Sequence, residues 1–416
     1  MKVDNLVDHL FRHQYGKMVA ILTRIFGLSQ LELIEDAIQD TFSKALLSWR
    51  NKMPDNPEAW LTKAAKNRAI DLLRSAKAQA HRMEKLDNGP SALLLEGLFL
   101  EKEIKDSQLR MIFTACHPAL NPGDQIAFAL KTISGFGTRE IAAALLTKEE
   151  TIKKRISRSR KTIIDRNIQF EIPNHRNLPS RIKRVLEVIY LIFNEGFHST
   201  AKHDLIREEL CTEALRLCQL MLKRAHLRTS EVYALFALLC FHTARLESKL
   251  SDQGEIINFK DQDRSTWYWP SIQLGHSAMM KAVESEEFST YHYEAAIAAE
   301  HLKAPSLAET NWANILKWYS ELYKIQPTPL NLLNQGVVLQ QMGCYDKCWE
   351  IIQQIDPDKL EQRKYLYYSA CADLALQEGN SQEAICFLDQ AIARVHNKIE
   401  KKYFLEKRNS IVSNNQ

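Results

Sequence analysis

Apolar residues recur every three or four positions along almost the whole chain, and alternation with a period of two is sustained nowhere. The pattern predicts helices throughout. Residues 4–28 read as one or two amphipathic helices with Leu6, Leu10, Met18, Leu22 and Ile25 inward. A helix from about Leu31 to Trp49 turns Ile34, Ala37, Ile38, Phe42, Ala45 and Trp49 inward and Glu35, Asp36, Gln39 and Asp40 outward. Met53-Pro54-Asp55-Asn56-Pro57 is a turn, and Pro57 suits the first turn of the next helix, which continues past Arg74. Leu86-Asp87-Asn88-Gly89-Pro90-Ser91 reads as a linker. Helix then fills 92–133, broken at His117-Pro118 and Asn121-Pro122-Gly123.

Residues 134–161, SGFGTREIAAALLTKEETIKKRISRSRK, read as a helix-turn-helix. The first helix is expected to open on Thr138, with its hydroxyl as cap, and to bury Ile141, Ala142 and Leu145. The second is expected to open on a capping box between Thr147 and Glu150. On a helical wheel Ile152, Ile156 and Ile163 form an apolar back. Glu150, Thr151, Lys154, Ser157, Arg158 and Lys161 form a polar front, with Arg155 and Arg160 flanking the seam. In such motifs the N-terminal part of the second helix reaches base edges while nearby cations hold phosphates. An ordinary solvated basic helix is the competing reading.

Behind it, about Asn167 to Ser180 reads as a second linker, with Pro173 and Pro179. Residues 180–280 form another helical block, with apolar segments Val185 to Phe193, Leu210 to Leu222 and Val232 to Leu246. After about 290 a weak repeat appears. Gly343 is followed five residues later by Cys348, and Gly379 by Ala384, an offset of 36 residues, near the tetratricopeptide period of about 34.

Charge sharpens this division. The net charge is only +4, yet residues 1–170 hold 27 Lys/Arg against 20 Asp/Glu, and the remainder 28 against 31. The excess concentrates in 63–85 and 148–166, two patches suited to two contacts with a polyanion. In the first, Trp60 lies among Lys63, Lys66, Asn67, Arg68, Arg74 and Lys77. Bases of a single strand stack on aromatics while cations meet phosphates, although a core role for Trp60 is the simpler reading. Eight cysteines without CxxC spacing fit thiols in a reducing cytoplasm. The N-terminus lacks a signal-peptide apolar core, and no apolar run approaches the length of a membrane span.

Chemistry-bearing clusters are few. Asn194-Glu195-Gly196-Phe197-His198 with His203 and Asp204 matches no zinc-hydrolase spacing, and Gly196 reads as a helix C-cap. Asp261-Gln262-Asp263-Arg264 ahead of Trp267-Tyr268-Trp269 reads as an ion-paired loop anchored by aromatics, or as a ligand contact. His117 reads as a helix-end residue. No glycine-rich phosphate loop or Ser/His/Asp constellation occurs, so no enzyme, metal or cofactor is expected.

The order of EDAIQDTF, WLTKAAKNRAIDLLR, a linker and GFGTREIAAALLTKEETIKKRISRSR resembles bacterial sigma factors of the sigma-70 family, most closely the extracytoplasmic-function type. LPSRIKRVLEVIYLIFNEGFHST, GEIINFKDQDRSTWYW and YEAAIAAEHLKAPSLAETNWANILKWY are similar to the long C-terminal extension of one sigma-factor group. The resemblance implies an all-α fold. Two small helical sigma domains, at 8–85 and 92–166 with the second a helix-turn-helix, precede a helical domain at 178–285 and tetratricopeptide-like repeats at 290–400. It implies that Asp36, Gln39, Asp40 and Phe42 dock on the β′ clamp helices of core RNA polymerase, with the β flap as a further contact. Lys66, Asn67, Arg68, Asp71 and Arg74 would help to open the downstream promoter element. Glu150, Thr151, Lys154 and Arg158 would read the upstream one. A cytoplasmic promoter-specificity subunit is therefore expected, with no membrane partner and with a regulatory protein on the repeats as a possible partner. A helix-turn-helix regulator that does not join polymerase, or a scaffold or enzyme in 180–290, is the alternative.

Overall fold

The computed structural model describes residues 3–80, 101–145, 147–174, 176–197, 206–251 and 253–414. The linker expected at 86–91 and the residues His198, His203 and Asp204 lie outside them. Among the described residues the only strand-like pairing is a bridge between Leu250 and Ile256, and all other regular structure is helical. The chain divides into two units, Met1–Leu191 and Ile192–Gln416.

The first unit holds α1 (Val3–Phe26), α2 (Leu31–Ser48), α3 (Pro57–Ala80), α4 (Glu101–Ala115), α5 (Pro122–Thr132), α6 (Thr138–Ala144) and α7 (Glu149–Asp165). The 4–28 pattern forms one helix. Its core face is wide: Tyr15, Val19, Ile21 and Leu22 are all buried, and α1 packs against both α2 and α4. One long helix therefore serves the two blocks that the linker separates in sequence, and they share a core. The contact is close at Gly16, where a Cβ would lie 1.7 Å from the carbonyl oxygen of Ile133 just beyond α5. No side chain fits there.

The extension does not begin cleanly at 178. Helix α8 (Leu178–Phe197) runs across the division between the units, and near its start Arg181 donates to the carbonyl of Phe113. Gly196 does not cap this helix. It lies inside the last turn, buried, where a Cβ would come within 2.8 Å of the Arg207 oxygen and the Cys211 nitrogen. Its small size, not its conformational freedom, is what the packing uses.

The second unit continues with α9 (Glu208–Leu222), α10 (Ser230–Thr243), α11 (Trp269–Ala282) and α12 (Thr290–Lys303). Helix α10 is its hydrophobic axis. Val232 and Ala234 to Phe241 are buried on every side, and α9, α11 and α12 pack around them. Each large side chain so enclosed contributes about 1.5–3 kcal/mol. Helix pairs follow: α13 (Trp312–Ile325), α14 (Pro329–Gln341) with α15 (Tyr345–Ile352), α16 (Lys364–Gln377) with α17 (Ser381–Arg394), then α18 (Lys398–Asn414).

The 36-residue offset is visible as geometry. Gly343 and Gly379 have φ of 73° and 79°, the left-handed turn that glycine adopts without strain. Cys344 N–H bonds the Leu339 carbonyl at 2.9 Å, and Asn380 N–H bonds Ala375 at 2.8 Å, so both helices end alike. Five residues after each glycine, Cys348 and Ala384 are fully buried.

The loop ahead of α11 is anchored by aromatics, as expected, but among the described residues it forms no ion pair. Trp267 is buried and donates to Ser248 Oγ at 3.0 Å, Asp263 accepts from Ser265, and Arg264 turns to main-chain carbonyls.

Candidate nucleic-acid interface

The helix pair α6–α7 forms, with capping different from the expected one. Thr138 does not cap α6. The Gly137 N–H is met by the Glu140 carboxylate at 2.7 Å, and the Thr138 hydroxyl donates across to Glu149 Oε1 at 2.8 Å. That bond chiefly holds the Glu149 carboxyl below the usual range. Helix α7 starts at Glu149 with Lys148 as its extended N-cap, so no box forms between Thr147 and Glu150. Glu150 is left exposed, 3.1 Å from Lys153.

The two faces of α7 divide as its periodicity requires. Ile152, Ile156 and Ile163 are buried, Lys154, Ser157 and Lys161 are exposed, and Thr151 is half-buried. Arg158, expected at DNA, is paired within the fold. Its Nε and Nη2 bond both oxygens of Asp124 on α5, at 2.7 and 2.5 Å, and the Asp124 side chain is only 4% exposed. Arg158 therefore ties α7 to α5, while the outer part of its guanidinium faces solvent. Paired and two-pronged, such a contact is strong.

Arg160 crosses to the other block. It lies 2.5 Å from Glu35 and 3.6 Å from Glu32. Glu35, expected on the outer face of α2, is buried, with Arg160 of α7 reaching onto it. Burial pushes its carboxyl up despite Arg160. Tyr15 Oη, Glu35 Oε1 and Arg160 Nε are all buried there without a partner, which costs stability.

On α2, Asp36 and Gln39 are exposed. Asp40 accepts from Arg68 Nε and Nη2 at 2.9 and 2.7 Å, so a residue expected at polymerase and one expected at DNA are paired with each other. Phe42 is corrected outright. It is 4% exposed, and its ring packs edge-on against Phe11 at 4.9 Å, where no partner protein reaches it. Between α2 and α3 runs a groove of about 590 Å³ lined by Lys44, Leu47, Trp60, Asn67, Arg68 and Asp71. Trp60 is half-buried: its ring meets buried Trp49 at 5.4 Å, and it also lines the groove. Lys66 is half-buried and Arg74 exposed.

Three stretches of the chain match known protein families. Residues 10–79 match sigma-70 region 2, residues 110–163 match sigma-70 region 4, and residues 181–283 match a family of unknown function, DUF6596. The chain is 32% identical over 382 residues to an uncharacterized protein of Rhizobium meliloti, covering 90% of this chain and 88% of that one. It is 30% identical over 158 residues to the ECF RNA polymerase sigma factor SigE of Mycolicibacterium smegmatis, covering 38% of this chain and 60% of that protein. The chain belongs to the sigma-70 family. It is of the extracytoplasmic-function type and carries a helical C-terminal extension.

In this sigma-70 chain, region 2 is α1–α3 and region 4 is α4–α7. Sequence reasoning missed Asp124, and missed Glu35 as the seat of Arg160. Neither partner is local, since 34 and 125 residues separate the pairs. Lys44 and Leu47 were equally unmarked, because only the packing of α2 on α3 brings them beside Trp60. Among the described residues no helix is long and apolar enough to cross a membrane, and no group of three His, Cys, Asp or Glu gathers as a metal site.

Proposed function

We propose that this chain binds core RNA polymerase, reads two promoter elements and starts transcription without catalysing a reaction itself. The observation that carries the reading is the exposed front of α7. Glu150, Lys154 and Lys161 stand clear on a helix fixed from behind by three buried isoleucines. Such a face suits the major groove. The Trp60 groove, with Asn67 and Arg68 beside it, suits a separated strand, where a base stacks and cations meet the backbone. Asp36 and Gln39 remain as the polymerase-facing residues of α2, with Asp40 orienting Arg68 between the two surfaces. The test is a pull-down of core polymerase with the full chain, followed by run-off transcription. Failure to bind core would sink the reading.

We further propose that the extension tunes this activity, with the concave faces of its helix pairs as a protein-binding surface. The support is covalent attachment of a second folded unit to the promoter-reading one. A chain ending after Phe197 keeps all of α8 and its contact with Phe113. Promoter output in cells that matches the full chain would contradict tuning.

A further inference from the structure

The second unit gathers three cations that, among the described residues, form no ion pair with a carboxylate. Arg245 follows α10, Lys249 lies one turn further, and Arg264 sits in the loop ahead of α11. Two phenylalanine rings string them together. The Phe197 centroid has Lys249 Nζ at 3.6 Å and Arg245 Cζ at 5.5 Å. The Phe259 centroid has Arg245 Cζ at 4.7 Å and Arg264 Cζ at 5.3 Å.

Their hydrogen-bonding capacity is largely unspent. Lys249 donates to the Phe197 carbonyl. Arg264 Nη1 donates to the carbonyls of His301 and Ala304, at 2.7 and 2.5 Å, while its Nη2 is buried without a partner. Arg245 meets only rings and other cations among the described residues. His301 Nδ1, nearby, is also buried and unpaired. The acids that act on the cluster do so from elsewhere: Glu400 already accepts the Tyr365 hydroxyl, and Glu309 the Ser306 hydroxyl.

The consequence is mutual repulsion. Burial and then Arg264 push Arg245 down to about 10, and burial and then Arg245 push Lys249 down to about 7. An aromatic face attracts a cation but does not cancel its charge, and Phe259 serves two. Burying cations without a counter-ion is costly. An anion relieves that cost at once.

We propose that this cluster binds an oxyanion, a carboxylate or phosphate group on a small molecule, with Arg245 and Arg264 as its ligands. The arginine fork matches either group. Phe259 and His301, beside the cluster, also line a cavity of about 970 Å³ with Trp312, Tyr319 and Tyr403; the arginines lie outside that lining, so an anion reaching them enters past these two rings. The site belongs to the second unit alone and is independent of the promoter reading.

The test is thermal unfolding of the full chain with inorganic phosphate or succinate, against chloride at matched ionic strength. At least one probe raises the melting temperature by several degrees, and which one identifies the head group. The shift disappears in Arg245→Gln and survives in Lys324→Gln, a change at an exposed lysine. Without anion, Arg245→Gln melts no lower than the parent, because it removes repulsion. No shift from either probe, an equal shift in Arg245→Gln, or a large drop in that variant's own melting temperature overturns the proposal.

Discussion

Two clusters, one in each unit, treat positive charge in opposite ways. In the first, arginines at the surface reach back to carboxylates: Arg158 to buried Asp124, Arg160 to buried Glu35, Arg68 to Asp40. In the second, Arg245, Lys249 and Arg264 lie over aromatic rings, close enough to repel one another. The first arrangement positions helices and leaves selected cations, Lys154 foremost, free for a polyanion. The second leaves charge inside, short of a counter-ion. A basic residue is thus no single signal: its partner decides whether it holds the fold, meets DNA or awaits a ligand.

Removing a paired cation should have the largest effect. Arg158→Ala strands the Asp124 carboxylate and should lower the stability of the first unit by about 3 kcal/mol. Adding Asp124→Asn should return most of that loss in urea unfolding. If Arg158→Ala is stability-neutral, the pair is not structural and the comparison fails on its first side.

Removing an unpaired surface cation should leave the fold alone. Lys154→Ala should cut promoter-dependent transcription about tenfold, the loss expected of one DNA contact, with unchanged unfolding and unchanged core-polymerase binding. Loss of all three together would mean that Lys154 is structural.

The interior cations predict a pH response with a definite sign. Lys249 titrates near 7 in the folded chain, against 10.5 for an ordinary lysine. The folded state therefore binds fewer protons than the unfolded one between these values. Its penalty is complete below pH 7 and is relieved as pH rises toward 10.5. Stability of the second unit should climb by up to about 1 kcal/mol between pH 7 and 8, and Lys249→Met should flatten that rise. A slope that persists in the variant would assign it to another group.

The smallest effect belongs to the exposed pair. Asp40→Asn should change stability by less than about 1 kcal/mol. Its larger consequence should be a looser Arg68, seen as weaker binding of single-stranded promoter DNA by the reconstituted holoenzyme.

Much of this was legible along the chain. The periodicity of α2 and α7 located their buried isoleucines, because helix packing follows a local 3.6-residue rule. The glycines of the repeat were readable because a left-handed turn selects them locally. Caps were less so: Thr138 and Thr147 looked like capping residues, yet Thr138 serves Glu149 across the turn and α7 starts past Thr147. Phe42 and Glu35 were misjudged because α1 and α7 cover them from distant sequence. Arg245 carried no signal at all, since its isolation is defined by what does not approach it.

The promoter-selecting role proposed for the front of α7 has a direct test. Core polymerase reconstituted with the full chain should be set to transcribe a genomic fragment library, with the 5′ ends of the transcripts mapped. New start sites sharing an upstream element are expected, with that element weakened or changed when Lys154→Ala or Glu150→Ala is used. Start sites identical to those of core polymerase alone, or an upstream element untouched by both substitutions, would contradict it.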